Sequence, residues 1–273
     1  MVVDRQTPAS LIAFQQGTIP LLISFPHSGT WLPASVKEQM TDVGLRLPDT
    51  DWELPRLYEF ATRFHPSTIA AEFSRYLIDP NRSTDGINLY PGKPTPQLCP
   101  TETFAGEPIY AAGEAPSDME IDRRTREFWK PYHQKIQEEL VRLRAQFGFA
   151  VLFDAHSIKS EVPRLFDGKL PDINIGTANG TSCDPSLASA IEEALNSQQS
   201  CSFVMNGRFI GGHITRAFGR PAEGIHAVQL ELAQCRYMDE SLNRWNENAA
   251  HAIRPILECV LEAIVRWIAA WKP

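Results

Sequence analysis

The sequence predicts an α/β fold in which parallel strands deliver polar side chains to one edge of a sheet. Two apolar runs, 20–25 and 150–153, each lead directly into a polar segment that contains a histidine. Such runs are typical of buried parallel strands, and open α/β sheets bind ligands at the carboxyl ends of these strands. A helical pattern before the second run adds a strand–helix–strand crossover. We therefore expect His27 and His156 to meet at one edge of the sheet.

Composition indicates an ordinary globular protein. Of the 273 residues, 43% are hydrophobic and 22% are charged, as in an average globular domain. We find no internal repeat and no linker, and we predict a single domain over residues 1–273. The formal charge of −7 argues against a nucleic-acid partner or an anionic membrane.

The five cysteines are scattered and form no C-x-x-C pair, which favours reduced thiols in the cytoplasm. The N-terminus shows no apolar core of signal-peptide length, so we expect no export. The stretch from Ile256 to Trp271 is apolar but contains three charged residues, which indicates an amphipathic docking helix and not a membrane span. The pattern does not indicate an oligomeric state.

In the first half of the chain, a helix is expected from Asp51 to about Arg63. Strands are expected at 67–73 and 76–79. The segment from Thr84 to Pro116 has many proline and glycine residues and little periodicity. Because structureless segments of this length are usually functional, we interpret it as an active-site wall or lid.

The second half alternates helices and strands. The pattern predicts helices at 117–147, 184–197 and from 242 onward, and strands at 150–156, 173–178, 202–205 and 226–231. A glycine-rich turn is expected at 206–213, and Pro255 should break or kink the last helix.

His27 and His156 suggest a catalytic metal site, since zinc hydrolases use three His, Asp or Glu ligands and leave one position for water. Asp51 is the preferred carboxylate ligand and Asp49 the alternative, although either could simply cap the following helix. Zinc is expected, but these ligands also suit Mn, Fe or Co. A second metal could use Asp49 and Asp154.

Glu231 ends a predicted strand and could serve as the general base that takes a proton from water and passes it to the leaving nitrogen. The competing interpretation is a surface glutamate at a strand end. Arg75 could support the oxyanion of a tetrahedral intermediate. Asn81 and Arg82 have the chemistry to bind a carboxylate, because an Arg fork binds it in a bidentate way.

The glycine-rich segment also contains His213 and Arg216. We interpret Arg216 as a second carboxylate anchor and His213 as a donor that faces the substrate. A plain glycine turn with a solvated arginine is the alternative, as is a surface salt bridge for each of the other arginines taken singly.

Taken together, these segments resemble the N-formylglutamate amidohydrolase family, which is related to zinc carboxypeptidase-like and aspartoacylase-like hydrolases. The resemblance covers nearly the whole chain, in ordered blocks at 20–29, 47–52, 72–82, 104–110, 129–133, 153–157, 165–172, 206–216 and 228–234. One departure stands out: Thr30 occupies the position where the wider group has its Glu ligand after the first histidine.

The resemblance implies a three-layer α/β/α fold with a central mixed, mostly parallel sheet, as in zinc carboxypeptidases and the phosphorylase/hydrolase-like fold. It implies metal-dependent hydrolysis of N-formyl-L-glutamate to formate and L-glutamate in histidine degradation. It also assigns carboxylate binding to Asn81 and Arg82, the scissile carbonyl to Arg75 and the base to Glu231. Two alternatives remain: an amidohydrolase for another N-acyl or formimino amino acid, and a non-catalytic carboxylate- or amino-acid-binding protein.

Overall fold

A mixed sheet of seven strands forms the centre of the protein, in a computed structural model that describes residues 10–86 and 96–271. The strands are β1 (Ile12–Gln15), β2 (Leu21–Phe25), β3 (Ser67–Ala71), β4 (Ala150–Ile158), β5 (Ile173–Gly176), β6 (Phe203–Met205) and β7 (Ile225–Ala233). Their order in the sheet is β1-β3-β2-β4-β7-β5-β6.

The four central strands, β3, β2, β4 and β7, run parallel to one another. β1 pairs antiparallel with β3, and β5 pairs antiparallel with β7. β2, β4 and β7 are therefore neighbours whose carboxyl ends lie at the same edge, which places the segments that follow or end these strands side by side. A separate two-stranded ladder joins β8 (Met238–Asp239) to β9 (Arg244–Trp245).

Helices cover both faces of the sheet. They are α1 (Ala34–Lys37), α2 (Asp42–Leu45), α3 (Leu54–Leu57), α4 (Asp118–Arg124), α5 (Lys130–Phe147), α6 (Pro185–Asn196), α7 (His213–Phe218) and α8 (Glu247–Ala270). A π-helical turn, Thr125–Trp129, joins α4 to α5, and 3₁₀ turns occupy Glu59–Phe64, Pro221–Glu223 and Gln234–Arg236.

Alternate residues of each strand build two cores, because successive side chains point to opposite faces. In β2, Leu21 and Ile23 belong to the core under α6 and α8, whereas Leu22 belongs to the core under α5. The predicted three-layer α/β/α arrangement with a mixed, mostly parallel sheet is confirmed.

Several predicted elements differ from the observed ones. The segment Tyr76–Asp79 is a buried turn and not a strand, and the predicted helix from Asp51 to Arg63 is the short α3 followed by a 3₁₀ turn. The last helix begins at Glu247, and Pro255 lies inside it without interrupting it. Four short elements, β1, α1, α2 and α7, were not predicted.

Two further predictions concern the whole chain. All five cysteines are free thiols in this structure. Within the described ranges, no helix combines the length and apolar character that a membrane crossing requires. Part of the predicted wall or lid from Thr84 to Pro116, residues 87–95, lies outside the described residues.

Candidate metal centre and active site

Three predicted ligands meet at the carboxyl edge of the sheet. His27 lies two residues after the end of β2, and His156 lies near the end of the neighbouring strand β4. Their Nδ1 atoms are 3.1 Å apart. Asp51 Oδ2 lies 3.3 Å from His156 Nδ1 and 3.7 Å from His27 Nδ1. All three side chains are buried, so their ligand atoms converge on one point away from solvent.

The other nitrogen of each imidazole is held by a second carboxylate. His27 Nε2 lies 2.7 Å from Asp79 Oδ1, and His156 Nε2 lies 2.8 Å from Asp154 Oδ2. Because a carboxylate accepts a hydrogen bond, the proton of each neutral imidazole is assigned to Nε2, and Nδ1 then offers a lone pair to a metal. This carboxylate–histidine arrangement is the usual support of metal-bound histidines in proteins.

The structure distinguishes Asp51 from Asp49. Asp51 Oδ2 accepts a hydrogen bond from the Ser157 backbone N–H at 3.1 Å, and it caps no helix, since α3 begins at Leu54 after Glu53. Asp49 Oδ2 accepts instead from the Tyr76 hydroxyl at 2.6 Å and from the Phe104 N–H at 2.8 Å. Of the two aspartates, only Asp51 therefore faces the histidines.

The donor set fits a divalent cation. Two imidazole nitrogens and a carboxylate oxygen face one another, and Asp51 Oδ1 is buried without a hydrogen-bond partner within residues 10–86 and 96–271. Although burial alone would raise the pKa of Asp51, His156 and His27 hold that pKa below its usual range. Burial likewise opposes the charged form of His156, yet Asp154 and Asp51 keep its pKa above normal. The cluster thus favours positive charge at its centre, and a buried His-Asp-His group of this kind can bind a metal.

Glu231 stands beside this cluster on β7. In the parallel β4–β7 register, Glu231 is the partner of His156, so the two side chains point to the same face of the sheet. Glu231 is only 7% exposed, which contradicts the alternative of a surface glutamate. Burial, helped by the negative charges of Asp51 and Asp154, raises its pKa to about 8, although His156 and Arg75 act to lower the pKa. The Gln229 side-chain amide donates to Glu231 Oε2 at 3.2 Å.

Arg75 is buried within the same network and is not a surface arginine. Its Nη2 donates to Asp79 Oδ2 at 2.9 Å, and its Nη1 donates to the Asp49 carbonyl at 3.2 Å. Nη1 also lies 3.7 Å from Asp51 Oδ1. Arg75 therefore braces two of the carboxylates around the histidines, while its Nε is buried without a hydrogen-bond acceptor among the described residues.

One cavity contains most of the predicted site residues. Its wall includes His27, Arg75, Asn81, Arg82, His156 and Glu231. The Asn81 side-chain oxygen accepts from the Ile214 N–H at 2.8 Å, and Asn81 Nδ2 lies 3.1 Å from His156 Nε2. Gly212 permits this packing, since a Cβ there would lie 2.3 Å from Asn81 Nδ2. The Arg82 guanidinium donates to the carbonyls of Asn81 and Pro96.

His213 and Arg216 lie on the short helix α7 and not on a loop, which corrects the predicted turn. Neither side chain belongs to the wall of the cavity that contains Glu231. His213 packs against the rings of Trp129 and His133, and Arg216 Nε donates to the Gly211 carbonyl at 2.9 Å. The His213 backbone N–H donates to the Asn81 carbonyl at 3.5 Å, so α7 begins beside the site although neither side chain lines the cavity.

Among the members of the cavity wall that sequence reasoning missed are two with long polar side chains, Arg208 and Gln229. Arg208 Nε donates to the Leu165 carbonyl at 2.8 Å, so this arginine enters the wall from the glycine-rich segment in place of Arg216. Gln229 lies two residues before Glu231 on the same strand, and the alternation of strand side chains could have identified it. Asp154 likewise lies two residues before His156 on β4, so the same alternation could have identified it.

The chain matches known proteins along most of its length. The family model described as N-formylglutamate amidohydrolase matches residues 19–238. An N-formylglutamate deformylase from Pseudomonas aeruginosa is 49% identical over 258 residues, which cover 94% of this chain and 97% of that protein. A second N-formylglutamate deformylase, from Pseudomonas putida, is 48% identical over 94% of this chain and 96% of that protein.

Solved structures share the fold. The crystal structure of an N-formylglutamate amidohydrolase from Ralstonia eutropha superposes with a TM-score of 0.81 at 26% identity, covering 95% of this chain and 98% of that one. A protein from Agrobacterium tumefaciens superposes with a TM-score of 0.71 at 18% identity, covering 94% of this chain and 96% of that one. The second likeness concerns the fold alone.

Proposed function

The chain belongs to the N-formylglutamate amidohydrolase family, and on that basis we propose that it hydrolyses N-formyl-L-glutamate to formate and L-glutamate with a divalent metal held by His27, Asp51 and His156. The observation that supports this most strongly is the convergence of two imidazole Nδ1 atoms and one carboxylate oxygen within 3.1 to 3.7 Å of one another. Zinc is the metal we propose first.

A metal bound there would polarise the formyl carbonyl and lower the pKa of water to about 7. Glu231 moves the protons. Its pKa of about 8 lies close to neutral pH, where a group can both accept and return a proton efficiently. We propose that Glu231 takes a proton from the attacking water and delivers it to the leaving amine nitrogen.

Arg75 is the proposed support for the oxyanion, since it lines the cavity and its Nε has no acceptor in the part of the chain that the structure describes. Asp79 and Asp154 are positioning residues, because they fix the proton on each Nε2 and so turn each Nδ1 toward the centre.

The substrate carries two carboxylates, and two arginines in the cavity wall suit them. We propose that Arg82 and Arg208 hold these carboxylates, with the Asn81 amide as a neutral donor. The sequence predicted Arg216 as the second anchor and His213 as a donor. Arg208 is better placed than Arg216, because it lines the cavity that contains Glu231.

Formate release from N-formyl-L-glutamate tests the proposal directly. We expect the purified protein to release formate, to lose at least about 90% of that activity after treatment with a chelator, and to recover it on addition of zinc. Activity that survives complete metal removal would contradict the metal-dependent mechanism. No formate release by metal-loaded protein would instead favour a non-catalytic carboxylate-binding protein.

A role in histidine degradation and a location in the cytoplasm remain predictions. The first follows from the proposed substrate, and free thiols at all five cysteines support the second.

A further inference from the structure

We propose that Phe104 sets the size of the acyl group that the enzyme accepts, by separating the catalytic cavity from a second cavity beside it. This inference rests on the proposed function. The second cavity, called here the side cavity, has a volume of about 290 Å³ and is lined by residues that include Asp49, Val162, Pro163 and Gln234. Three residues, Phe104, Ser157 and Ile158, line both cavities.

The partition between the two cavities, formed by Phe104, Ser157 and Ile158, lies next to the reacting centre. The Phe104 ring centroid is 4.8 Å from the Arg75 guanidinium carbon, and the Ser157 backbone N–H donates to Asp51 Oδ2. The carbon of the scissile carbonyl must lie near Glu231 and the three ligands for hydrolysis to occur. A substituent on that carbon therefore lies close to the partition, whereas the glutamate portion must reach Arg82 and Arg208.

Phe104 is held in place by its own loop and by Asp49. Its N–H donates to Asp49 Oδ2 at 2.8 Å, and the Tyr76 hydroxyl donates to the same oxygen. The turn around it is closed by the Thr103 N–H, which donates to the Glu107 carbonyl at 2.8 Å. Asp49 is thus a positioning residue for the aromatic ring.

The other two shared residues are fixed by different contacts. The Ser157 hydroxyl is hydrogen-bonded with the Tyr237 hydroxyl at 2.7 Å, and Ile158 packs in a small apolar cluster with Val162 and Leu170. The Phe104 ring is half-buried and packs against this cluster from outside. Removal of the ring would therefore connect the side cavity to the catalytic cavity while leaving the ligand set in place.

The energetic effect should be measurable with small acyl groups. A formyl group carries only hydrogen on its carbonyl carbon, whereas an acetyl group adds a methyl that must fit against the partition. A difference of one carbon in a shaped pocket commonly changes kcat/KM by about 10- to 200-fold. We infer that the wild-type protein prefers N-formyl-L-glutamate and that Phe104→Ala reduces this preference.

The test compares kcat/KM for N-formyl-, N-acetyl- and N-propionyl-L-glutamate in the wild type, Phe104→Ala and Phe209→Ala. Phe209 is the matched control, because it lines the catalytic cavity but not the side cavity. We expect the acetyl-to-formyl ratio to rise at least about tenfold in Phe104→Ala and to stay within about twofold of wild type in Phe209→Ala. Equal ratios in wild type and Phe104→Ala would overturn the proposal, as would an equal rise in Phe209→Ala.

A binding measurement separates this proposal from the catalytic one. N-acetyl-L-glutamate should raise the melting temperature of Phe104→Ala more than that of the wild type. If the alanine variant does not fold, Phe104→Leu, which keeps an apolar side chain, is used for the same comparison. Absence of formate release in the wild type would reject the proposed function, and the melting-temperature comparison would still decide on Phe104. A larger shift in the wild type, or equal shifts, would overturn the partition.

Discussion

Glu231 shows how burial prepares a single side chain for proton transfer. It lies on a strand whose nine residues are all buried, and that environment raises its pKa to about 8. The sequence placed this carboxylate at a strand end, but its ionisation depends on neighbours that only the folded chain provides. Asp51 and Asp154 are two of these neighbours, and they come from distant segments.

Glu231→Gln should lower kcat by about 10²- to 10⁴-fold, because the amide cannot accept and return a proton. The shape of the side chain is kept, so metal content and melting temperature should stay close to wild type. Steady-state kinetics and elemental analysis measure both properties. The control is Glu223→Gln, an exposed glutamate in a 3₁₀ turn. Turnover of Glu231→Gln close to wild type would remove Glu231 from the mechanism.

His133 illustrates a different consequence of burial. Its ring stacks on Trp129 at a centroid distance of 3.7 Å, and its Nε2 donates to the Pro80 carbonyl at 2.7 Å. Burial lowers its pKa to about 4 from an ordinary value of 6.5. These contacts identify His133 as a structural residue.

We expect His133 to weaken the fold as the pH falls. The unfolded chain binds a proton at His133 near its ordinary pKa, whereas the folded protein does so only near its lowered one. The contribution of neutral His133 to the free energy of unfolding is therefore fully present above about pH 6.5. It decreases by about 3 kcal/mol as the pH falls to about 4. Urea unfolding of wild type and His133→Gln measures this, since other titrating groups cancel in the difference.

The free-energy gap between wild type and His133→Gln should thus be larger at neutral pH than at about pH 4. A gap that stays the same at both pH values would contradict the lowered pKa.

At the scale of elements, apolar runs that end in polar residues predicted the strands that carry the site, whereas the sequence did not distinguish a buried turn from a strand. The runs before His27 and His156 are β2 and β4, as predicted. The run Tyr76–Asp79 has the same apolar character, but it is a buried turn. The turn places Asp79 beside His27. The predicted strand gave no reason to expect this contact.

The glycine-rich segment before β7 was also informative only in part. Its glycines predicted a tight path, and Gly211 has a φ of +113°, which favours glycine. The sequence does not show whether this path turns Arg208 or Arg216 toward the cavity. We predicted Arg216, which lies on α7, whereas Arg208 lines the cavity.

Pro255 offers a test of helix energetics. It is exposed at an interior position of α8, where proline removes a backbone donor and its ring crowds the preceding turn. The helix nevertheless continues, because its buried face packs against the sheet along residues such as Ile253, Leu257 and Val260. The packing outweighs the local cost, which is why the predicted break is absent.

Pro255→Ala should therefore stabilise the protein by about 1–2 kcal/mol, less than the full cost of proline in a helix, because alanine also frees the unfolded chain. Chemical denaturation measures the change in free energy of unfolding. His251→Ala, an exposed substitution on the same helix, should change it by less than about 0.5 kcal/mol. Equal stability of Pro255→Ala and wild type would show that proline is accommodated in α8 without strain.

At the scale of the whole molecule, strand order explains why distant residues form one site. β2, β4 and β7 are consecutive in the sheet although far apart in sequence, so His27, His156 and Glu231 arrive at the same edge. The resemblance predicted the mixed sheet, and the two histidines could be found from strand ends alone. The register that pairs His156 with Glu231, and the carboxylates behind the histidines, required the assembled sheet.

The same topology imposes an order on biosynthesis. The three proposed metal ligands lie within the first 156 residues, whereas Glu231 and Arg208 lie far beyond them. A nascent chain leaving the ribosome would thus carry every group needed to capture the ion well before it carries the base or the second arginine. If the proposed roles are right, the active site becomes complete only when β7, the last strand of the central sheet, pairs with β4.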